Sequence, residues 1–75
     1  MSEIKFEIID TLGVISENET NFKKKLTLIS WNDREPKYDI RPWNADYTKM
    51  KKGLTFSLSE LQKLKEILNN LPELD

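Results

Sequence analysis

Aromatic and basic side chains crowd one short stretch of this sequence, KYDIRPWNADYTKMKKG, at residues 37–53. It contains Arg41, Trp43 and Tyr47, followed by a cluster of lysines. Aromatic rings stack on unpaired bases, and basic side chains neutralise phosphates. The stretch is therefore typical of a surface that binds single-stranded nucleic acid. The competing interpretation is a buried aromatic core with a solvated basic rim.

The available residue types exclude the commonest enzymatic chemistry. The chain has no His and no Cys, so it lacks the usual general base, the thiolate nucleophile and the ordinary zinc ligands. With only Gly13 and Gly53, it cannot form a glycine-rich phosphate loop. The acidic residues of the central segment have no spacing typical of metal ligands. We expect a binding protein and not an enzyme, with no metal and no cofactor.

The distribution of charge says more than its total. The net charge of −1 divides into −4 over residues 1–20, +5 over residues 21–53 and −2 over residues 54–75. A basic centre between acidic ends is a local electrostatic footprint that the overall charge conceals. A polyanionic partner would meet the central segment.

The hydrophobic pattern predicts the elements that position these side chains. Alternation gives a first strand in EIKFEIID, which bends at Gly13 and resumes at VIS. The polar turns SENETN and NDREP delimit two further strands, FKKKLTLISW and KYDIRPW, and Gly53 opens a fourth, LTF. Ser57 begins a capping box and a helix with a leucine stripe. The order β-β-β-β-α predicts one α+β domain over residues 1–75, an antiparallel sheet with one C-terminal helix.

Period-two alternation assigns two faces to this sheet. The apolar face, which we expect the helix to cover, holds Ile4, Phe6, Ile8, Leu26, Leu28, Tyr38, Ile40, Leu54 and Phe56. The other face holds Lys5, Lys23, Lys25, Ile29, Trp31, Lys37, Arg41 and Trp43. Tryptophans interleaved with cations on an open sheet predict a stacking platform. The alternative is that both tryptophans are buried in a dimer interface or under a curved sheet.

Chain length indicates an oligomer. A domain of 75 residues buries only about 60% of the surface of its unfolded chain, and this one has no disulfide. We therefore expect a dimer. The leucine stripe of the helix, with Leu61, Leu64 and Leu68, is expected to lie either in the core or in the dimer interface. No apolar run approaches the roughly 20 residues that span a bilayer, and the N-terminus lacks the pattern of a signal peptide. We expect a cytoplasmic protein without a membrane partner.

The segment from DIRPW to KMKKGLTFSLSEL resembles the positive cofactor four family of transcriptional coactivators, in particular its small bacterial members. The resemblance extends over residues 22–68. It implies a strongly curved four-stranded sheet, dimerisation partly through the helices, and single-stranded DNA running across the sheet ridges. The serine- and lysine-rich tail of eukaryotic members is absent, so coactivation of a eukaryotic promoter does not carry over.

The resemblance also implies roles for individual residues. Arg41 falls on the family's DNA-contacting arginine, and Trp43 falls within the adjacent aromatic pair. Arg34 and Lys37 lie nearest the DNA-binding lysines of the hairpin between the family's second and third strands, and Trp31 or Asn32 takes the place of a stacking aromatic. The loop DYTKMKKG departs from the family, which often has a glycine before its lysine there.

These observations predict a homodimeric protein that binds single-stranded DNA with little sequence preference, as an accessory factor in transcription, replication or repair. Trp31 and Trp43 are expected to stack on bases, and the cations to hold phosphates. The predicted binding residues are Lys5, Lys23, Lys25, Trp31, Arg34, Lys37, Arg41, Trp43, Lys49, Lys51 and Lys52. The alternatives are a protein-interaction module that uses the Trp31 and Trp43 face, or a protein that binds RNA.

Overall fold

The predicted α+β architecture is confirmed by a computed structural model, which describes residues 5–19 and 21–74. Its elements are strands β1 (Phe6–Glu19), β2 (Phe22–Trp31), β3 (Lys37–Trp43) and β4 (Leu54–Phe56), helix α1 (Leu58–Asn69) and a 3-10 turn (Pro72–Leu74). The strands form one antiparallel sheet in the order β1-β2-β3-β4. Each strand therefore pairs with its neighbour in sequence, as short connections favour.

Small polar residues turn the chain between the first three strands. Asn21 has φ 69° between β1 and β2, and Asn32 and Asp33 have φ 52° and 62° between β2 and β3. Asn and Asp tolerate this left-handed region better than other side chains. The Asn32 side-chain oxygen also accepts a hydrogen bond from the Lys5 N–H at 3.2 Å, which ties the start of the described chain to the second turn.

The predicted capping box begins helix α1. The Glu60 N–H donates to Ser57 Oγ at 3.2 Å, and the Ser57 N–H donates to Glu60 Oε1 at 2.8 Å. Two N–H groups that the helix cannot pair are thereby satisfied. The helix has 12 residues, and no helix within the described ranges has the length and apolar character needed to cross a bilayer.

The sheet curves strongly about its tryptophan face. Phe6 pairs with Trp31 at one end of β2, whereas Trp43 pairs with Lys23 at the other end. These two ends would stand roughly 26 Å apart on a straight strand. Nevertheless the Phe6 and Trp43 rings meet with centroids 5.1 Å apart. The tryptophan face must therefore be concave.

Strand β1 reaches around this curve through four irregularities in its pairing with β2. Register shifts fall between Ile8 and Asp10, between Thr11 and Gly13, between Val14 and Ser16, and between Ser16 and Glu19. Each shift leaves one extra residue of β1, and an extra residue bends a strand and increases its twist. The predicted bend at Gly13 thus belongs to a series of four register shifts.

The bulges overturn part of the face assignment. Phe6 pairs with Trp31 and Ile8 with Ile29, so both lie on the tryptophan face and not on the predicted apolar face. Lys5, which alternates with Phe6, is directed to the other side and pairs with Asp33. Ile4 lies outside the described residues.

The most deeply buried side chains also lie on the tryptophan face. Thr27, Ile29 and Asp39 are 0% exposed and Trp43 is 1% exposed. The opposite face, Leu26, Leu28, Tyr38, Ile40, Leu54 and Phe56, is at most partly buried, and Leu54 is 65% exposed. The prediction that this apolar face forms the core of the protomer under α1 was therefore wrong. Because the sheet curves toward the tryptophan face, the side chains on that face pack against one another and are buried instead.

Helix α1 leaves its leucine stripe largely uncovered. Leu61 and Leu64 are partly buried, whereas Leu58, Ile67 and Leu68 are exposed. No residue of this helix is buried. An amphipathic helix gains its stability mainly by packing an apolar face against another surface. Within one protomer this stripe makes only part of that contact.

Candidate nucleic-acid interface

A hollow of about 430 Å³ lies where the β2–β3 hairpin meets the start of β4. We call it the Trp31 hollow, and its lining residues are Trp31, Asn32, Arg34, Glu35, Lys37, Arg41, Met50 and Thr55. Four of the predicted binding residues, Trp31, Arg34, Lys37 and Arg41, meet in this one place. Its volume falls within the roughly 300–1,000 Å³ typical of small-ligand pockets.

The Arg41 side chain forms the most ordered part of this hollow. Its Nε and Nη2 donate to the two oxygens of Asp39 at 2.6 and 2.9 Å, a bidentate pair that fixes the guanidinium plane. Thr55 Oγ1 donates to Asp39 Oδ2 at 2.7 Å. The Asp39 side chain is fully buried and that of Arg41 is 15% exposed. Arg41 is therefore fixed by hydrogen bonds to a carboxylate that is shielded from solvent.

Arg41 in turn covers Trp31. Its Cζ lies 4.8 Å from the centre of the Trp31 ring, a cation–π contact, and its Nη1 approaches the Met50 sulfur at 3.5 Å. Phe6 packs against the same indole with ring centroids 5.9 Å apart and a 56° tilt. The partly buried Trp31 is thus fixed between an aromatic ring and a flat cation.

Glycine is required where the chain enters β4 beside Arg41. A Cβ at Gly53 would collide with the carbonyl oxygen of Ile40 and with Cβ of Arg41. Only a residue without a side chain lets the two backbones approach this closely. Gly53 therefore helps to set the position of Arg41 in the Trp31 hollow.

A second hollow of about 400 Å³ lies toward the opposite end of β2. We call it the Trp43 hollow, and its lining residues are Glu17, Asn21, Phe22, Lys23, Lys25, Trp43 and Ala45. Lys23 and Lys25 lie on the tryptophan face here, as predicted, through their pairing with Trp43 and Arg41. Lys23 also makes an exposed ion pair with Glu17 at 3.7 Å.

Trp43 does not offer its ring to a ligand. Its ring centroid lies 5.1 Å from that of Phe6 and 5.5 Å from that of Tyr47, and only 1% of its surface is exposed. The expectation that Trp43 stands on an uncovered face was wrong, because the sheet curls and Phe6 and Tyr47 pack against the indole. The alternative of a tryptophan buried under a curved sheet describes it correctly.

Tyr47 reaches from the β3–β4 loop across the concave face. Its hydroxyl accepts a hydrogen bond from Lys25 Nζ at 2.9 Å, and it shares one with the Thr11 hydroxyl at 2.8 Å. One side chain thereby links the loop to β1 and β2. Burial alone would raise the pKa of Tyr47, but the hydrogen bonds from Lys25 and Thr11 and the charge of Lys25 outweigh it, so the pKa is lowered.

The loop that presents Tyr47 is closed by its own polar side chains. Asn44 Nδ2 donates to Asp46 Oδ1 at 2.9 Å and to Thr48 Oγ1 at 2.8 Å, and Asn44 Oδ1 accepts from the Lys49 N–H at 2.9 Å. Thr48 also donates to Asp46 Oδ1 at 2.7 Å, and this bond contributes most to a lowered pKa of Asp46. Tyr47 itself has φ 60°, in the left-handed region. Side-chain hydrogen bonds therefore hold this loop around a left-handed residue that is not glycine.

Two indole N–H groups are left without partners on this face. Within the described residues, Trp31 Nε1 and Trp43 Nε1 are buried and make no hydrogen bond, and the same is true of Thr27 Oγ1. Leaving a buried donor unpaired costs roughly 1–3 kcal/mol. All three atoms belong to residues on the concave face.

The remaining predicted cations are dispersed. Lys5 pairs with Asp33 at 3.0 Å beside the β2–β3 turn and lines neither hollow. Lys49 and Lys52 are exposed in or after the β3–β4 loop. Lys51 Nζ lies 4.7 Å from the centre of the Phe22 ring. The structure brings Arg34, Lys37 and Arg41 together in one hollow and Lys23 and Lys25 in the other.

Sequence reasoning missed three side chains that build the site. Phe6 and Phe22 form ring or cation–π contacts there, and Thr55 holds Asp39. The position of Asp39 among cations favours its pairing with Arg41 or a cross-strand lysine, and the structure shows the pair with Arg41. Register could have indicated Thr55, since it pairs with Asp39 across β3 and β4. The contact between Phe6 and Trp43 depends on curvature, and a local pattern does not show curvature.

Comparison with known proteins gives two results. The model of the family described as Transcriptional Coactivator p15 (PC4) matches residues 18–67. A protein of Treponema pallidum (strain Nichols), described as an uncharacterized protein, is 36% identical over 69 residues. That alignment covers 92% of this chain and 81% of the relative. The matched segment includes strands β2 and β3, which contribute residues to both hollows, and most of α1.

Proposed function

Since this chain belongs to the family of Transcriptional Coactivator p15 (PC4), we propose that it is a homodimer that binds single-stranded DNA with little sequence preference. It acts in the cytoplasm as an accessory factor in transcription, replication or repair, and it is a binding protein without catalytic activity. Membership of the family supports the nucleic-acid-binding role, and the concave face of the sheet supports the choice of a single strand.

The choice of a single strand rests on the contacts between aromatic rings and cations. Within the described residues there are three cation–π contacts, namely Arg41 over Trp31 at 4.8 Å, Lys25 over Tyr47 at 4.3 Å and Lys51 over Phe22 at 4.7 Å. Rings and cations side by side are what an unpaired strand requires, because its bases stack and its phosphates need counter-charge. A duplex hides its base faces and would gain less from such a surface.

The uncovered leucine stripe supports the homodimer. Leu61, Leu64 and Leu68 lie on one side of α1, and the neighbouring sheet face exposes Leu54. A second copy of the chain would cover this apolar surface and supply the core that a domain of this size lacks. Two copies would also present two concave faces to one strand, which strengthens binding through effective concentration.

Titration with a fluorescent oligo-dT tests the function directly. We expect tight binding at about 50 mM salt and a steep loss of affinity with added salt, since each phosphate contact to a single strand contributes a slope of about −0.7 in log K against log[salt]. Competition with duplex DNA and with RNA of the same length separates the DNA proposal from the RNA alternative. Absence of binding at low salt, or an affinity that salt does not change, would reject a phosphate-driven function.

A pair of lysine substitutions locates the surface. Lys37→Gln removes an exposed cation at the Trp31 hollow, and Lys65→Gln removes an exposed lysine from α1. The first should weaken binding and flatten the salt dependence by about 0.7, whereas the second should change neither. Equal effects from both variants would show that binding is a diffuse charge effect and not a property of the concave face.

A further inference from the structure

The charge of Arg41 is already neutralised inside the protein. Both of its contacts with Asp39 are short, at 2.6 and 2.9 Å, and the carboxylate that receives them is fully buried. Because the two charges sit together in a dry environment, the pair presents little net charge to the solvent. A phosphate placed beside Arg41 would therefore be attracted only weakly, because Asp39 offsets the charge of the guanidinium.

The same contacts give the guanidinium a fixed plane. Asp39 holds one edge of the fork, Thr55 holds Asp39, and the face of the guanidinium covers Trp31 at 4.8 Å. A planar guanidinium offers stacking and edge hydrogen bonds, which a lysine ammonium cannot reproduce. The open hollow of about 430 Å³ lies beside this wall.

Positive charge that is free to meet a phosphate stands at the rim instead. Arg34 and Lys37 line the hollow and are exposed, and within the described ranges neither lies within ion-pair distance of a carboxylate. The hollow therefore combines a flat, neutralised wall inside with two unpaired cations and one exposed carboxylate, that of Glu35, in its outer lining. An unpaired nucleotide has the matching arrangement, a flat base attached to an anionic backbone.

We propose that the Trp31 hollow receives one unpaired base, with Arg41 as a flat wall for that base and not as a phosphate-binding cation. Asp39 is a positioning residue, which acts only through Arg41. Phosphates are bound by Arg34 and Lys37. This proposal rests on the proposed function and assigns the roles of individual residues within it, including a role for Arg41 that differs from the one expected from its charge.

Two variants separate a base wall from a phosphate contact. Arg41→Lys keeps the positive charge and loses the planar fork, whereas Lys37→Gln keeps every flat surface and loses a charge. Both are titrated with a dT oligomer and with an abasic deoxyribose-phosphate oligomer of the same length. Thermal unfolding of each variant first establishes that it is folded.

The expected results are opposite for the two variants. Arg41→Lys should weaken binding of the dT oligomer within the roughly 5- to 150-fold range that one stacked base contributes, and leave the abasic oligomer unchanged. Lys37→Gln should weaken both oligomers equally and flatten the salt slope by about 0.7. If Arg41→Lys binds dT as the wild type does, or weakens both oligomers alike, the base wall is rejected.

A wild-type experiment decides the matter if Arg41→Lys does not fold. Photo-crosslinking of an oligomer with 5-iodouracil in place of thymine should attach it to the tryptic peptide LTLISWNDR, residues 26–34, which contains Trp31. Crosslinks confined to other peptides would overturn the base pocket while leaving single-strand binding intact. Failure of the wild type to bind any single strand would instead reject the proposed function itself.

Discussion

The two tryptophans of the concave face have similar sequence surroundings and different structural positions. Trp31 is partly buried, is covered by Arg41 and lines a hollow with cations at its rim. Trp43 is 1% exposed and lies between Phe6 and Tyr47. Each is the last residue of its strand, and each has basic residues within a few positions in the sequence. The concave face therefore leaves one tryptophan partly exposed beside a hollow and buries the other.

The difference shows that two residues on the same face of a curved sheet can differ in exposure. Alternation placed Trp31 and Trp43 on one side, and that assignment is correct. Once the sheet curls, however, Phe6 packs against Trp43 with ring centroids 5.1 Å apart and Trp43 is buried, whereas Trp31 stays partly exposed. Side-chain pattern gives the face of a residue, and the curvature of the sheet decides its exposure.

The largest expected effect is the loss of the Trp43 ring. Trp43→Ala should lower the free energy of unfolding by roughly 3–5 kcal/mol, because it removes a fully buried aromatic residue from between two rings. Urea denaturation followed by circular dichroism measures it. The matched variant Trp31→Ala should cost clearly less stability and more affinity for oligo-dT. Equal stability losses would erase the distinction between the two ends.

The second-largest expected difference is the stability that is lost when the ion pair near each hollow is broken. Asp39→Asn leaves the largely buried guanidinium of Arg41 without its counter-charge and should cost about 3 kcal/mol of unfolding free energy. Glu17→Gln breaks the 3.7 Å ion pair between Glu17 and Lys23. The side chains of Glu17 and Lys23 are 65% and 54% exposed, so the loss of unfolding free energy should be at most about 1 kcal/mol. Chemical denaturation of both proteins at one pH provides the comparison. A negligible effect of Asp39→Asn would contradict the buried pair at the Trp31 end.

The glycines give a smaller contrast. Gly53→Ala forces a methyl group against the Ile40 carbonyl and Arg41, so we expect a loss of about 1–3 kcal/mol and a displaced Arg41. Gly13→Ala meets nothing within 4 Å and has no left-handed backbone, so it should be neutral or slightly stabilising. Thermal unfolding reports both changes. Amide chemical shifts around Arg41 should move in Gly53→Ala alone; unmoved shifts would remove Gly53 from the site.

The smallest effect is electrostatic and concerns Tyr47. Its lowered pKa means that the folded protein releases the phenol proton before the unfolded chain does. Stability should therefore rise with pH between that lowered pKa and the ordinary value near 10, and the gain is lost as the pH falls through the folded pKa. Ultraviolet titration of tyrosinate measures it. In Lys25→Met the pKa of Tyr47 should move upward; an unchanged midpoint would show that Lys25 does not reach the ring in solution.

Local patterns were sufficient to predict the elements of this fold. The three turns, the capping box at Ser57 and the strand segments all follow from residue types that act within a few positions. The phase of β1 could not be obtained in the same way. Its residues toward the concave face, Phe6, Ile8, Thr11 and Val14, are separated by two, three and three positions, and strict alternation therefore fails after the first bulge.

The candidate site was predictable in part. Trp31, Arg34, Lys37 and Arg41 were identified from residue type and resemblance, and they line one hollow. Burial of Trp43 followed from the sequence only as an alternative that was left undecided, because Phe6 reaches Trp43 from a strand that is not its neighbour in the sheet. The contact of Tyr47 with Thr11 joins residues 36 positions apart, and no spacing rule reaches that distance.

The bulges of β1 also bear on how this chain can vary. Ile9, Leu12 and Ile15 have no partner in β2, although every flanking residue keeps its own. Deleting one of them would flatten the sheet locally and leave the other pairs as they are. We therefore expect relatives to differ by single insertions or deletions in this strand more readily than in β2 or β3, where one lost residue would exchange the two faces.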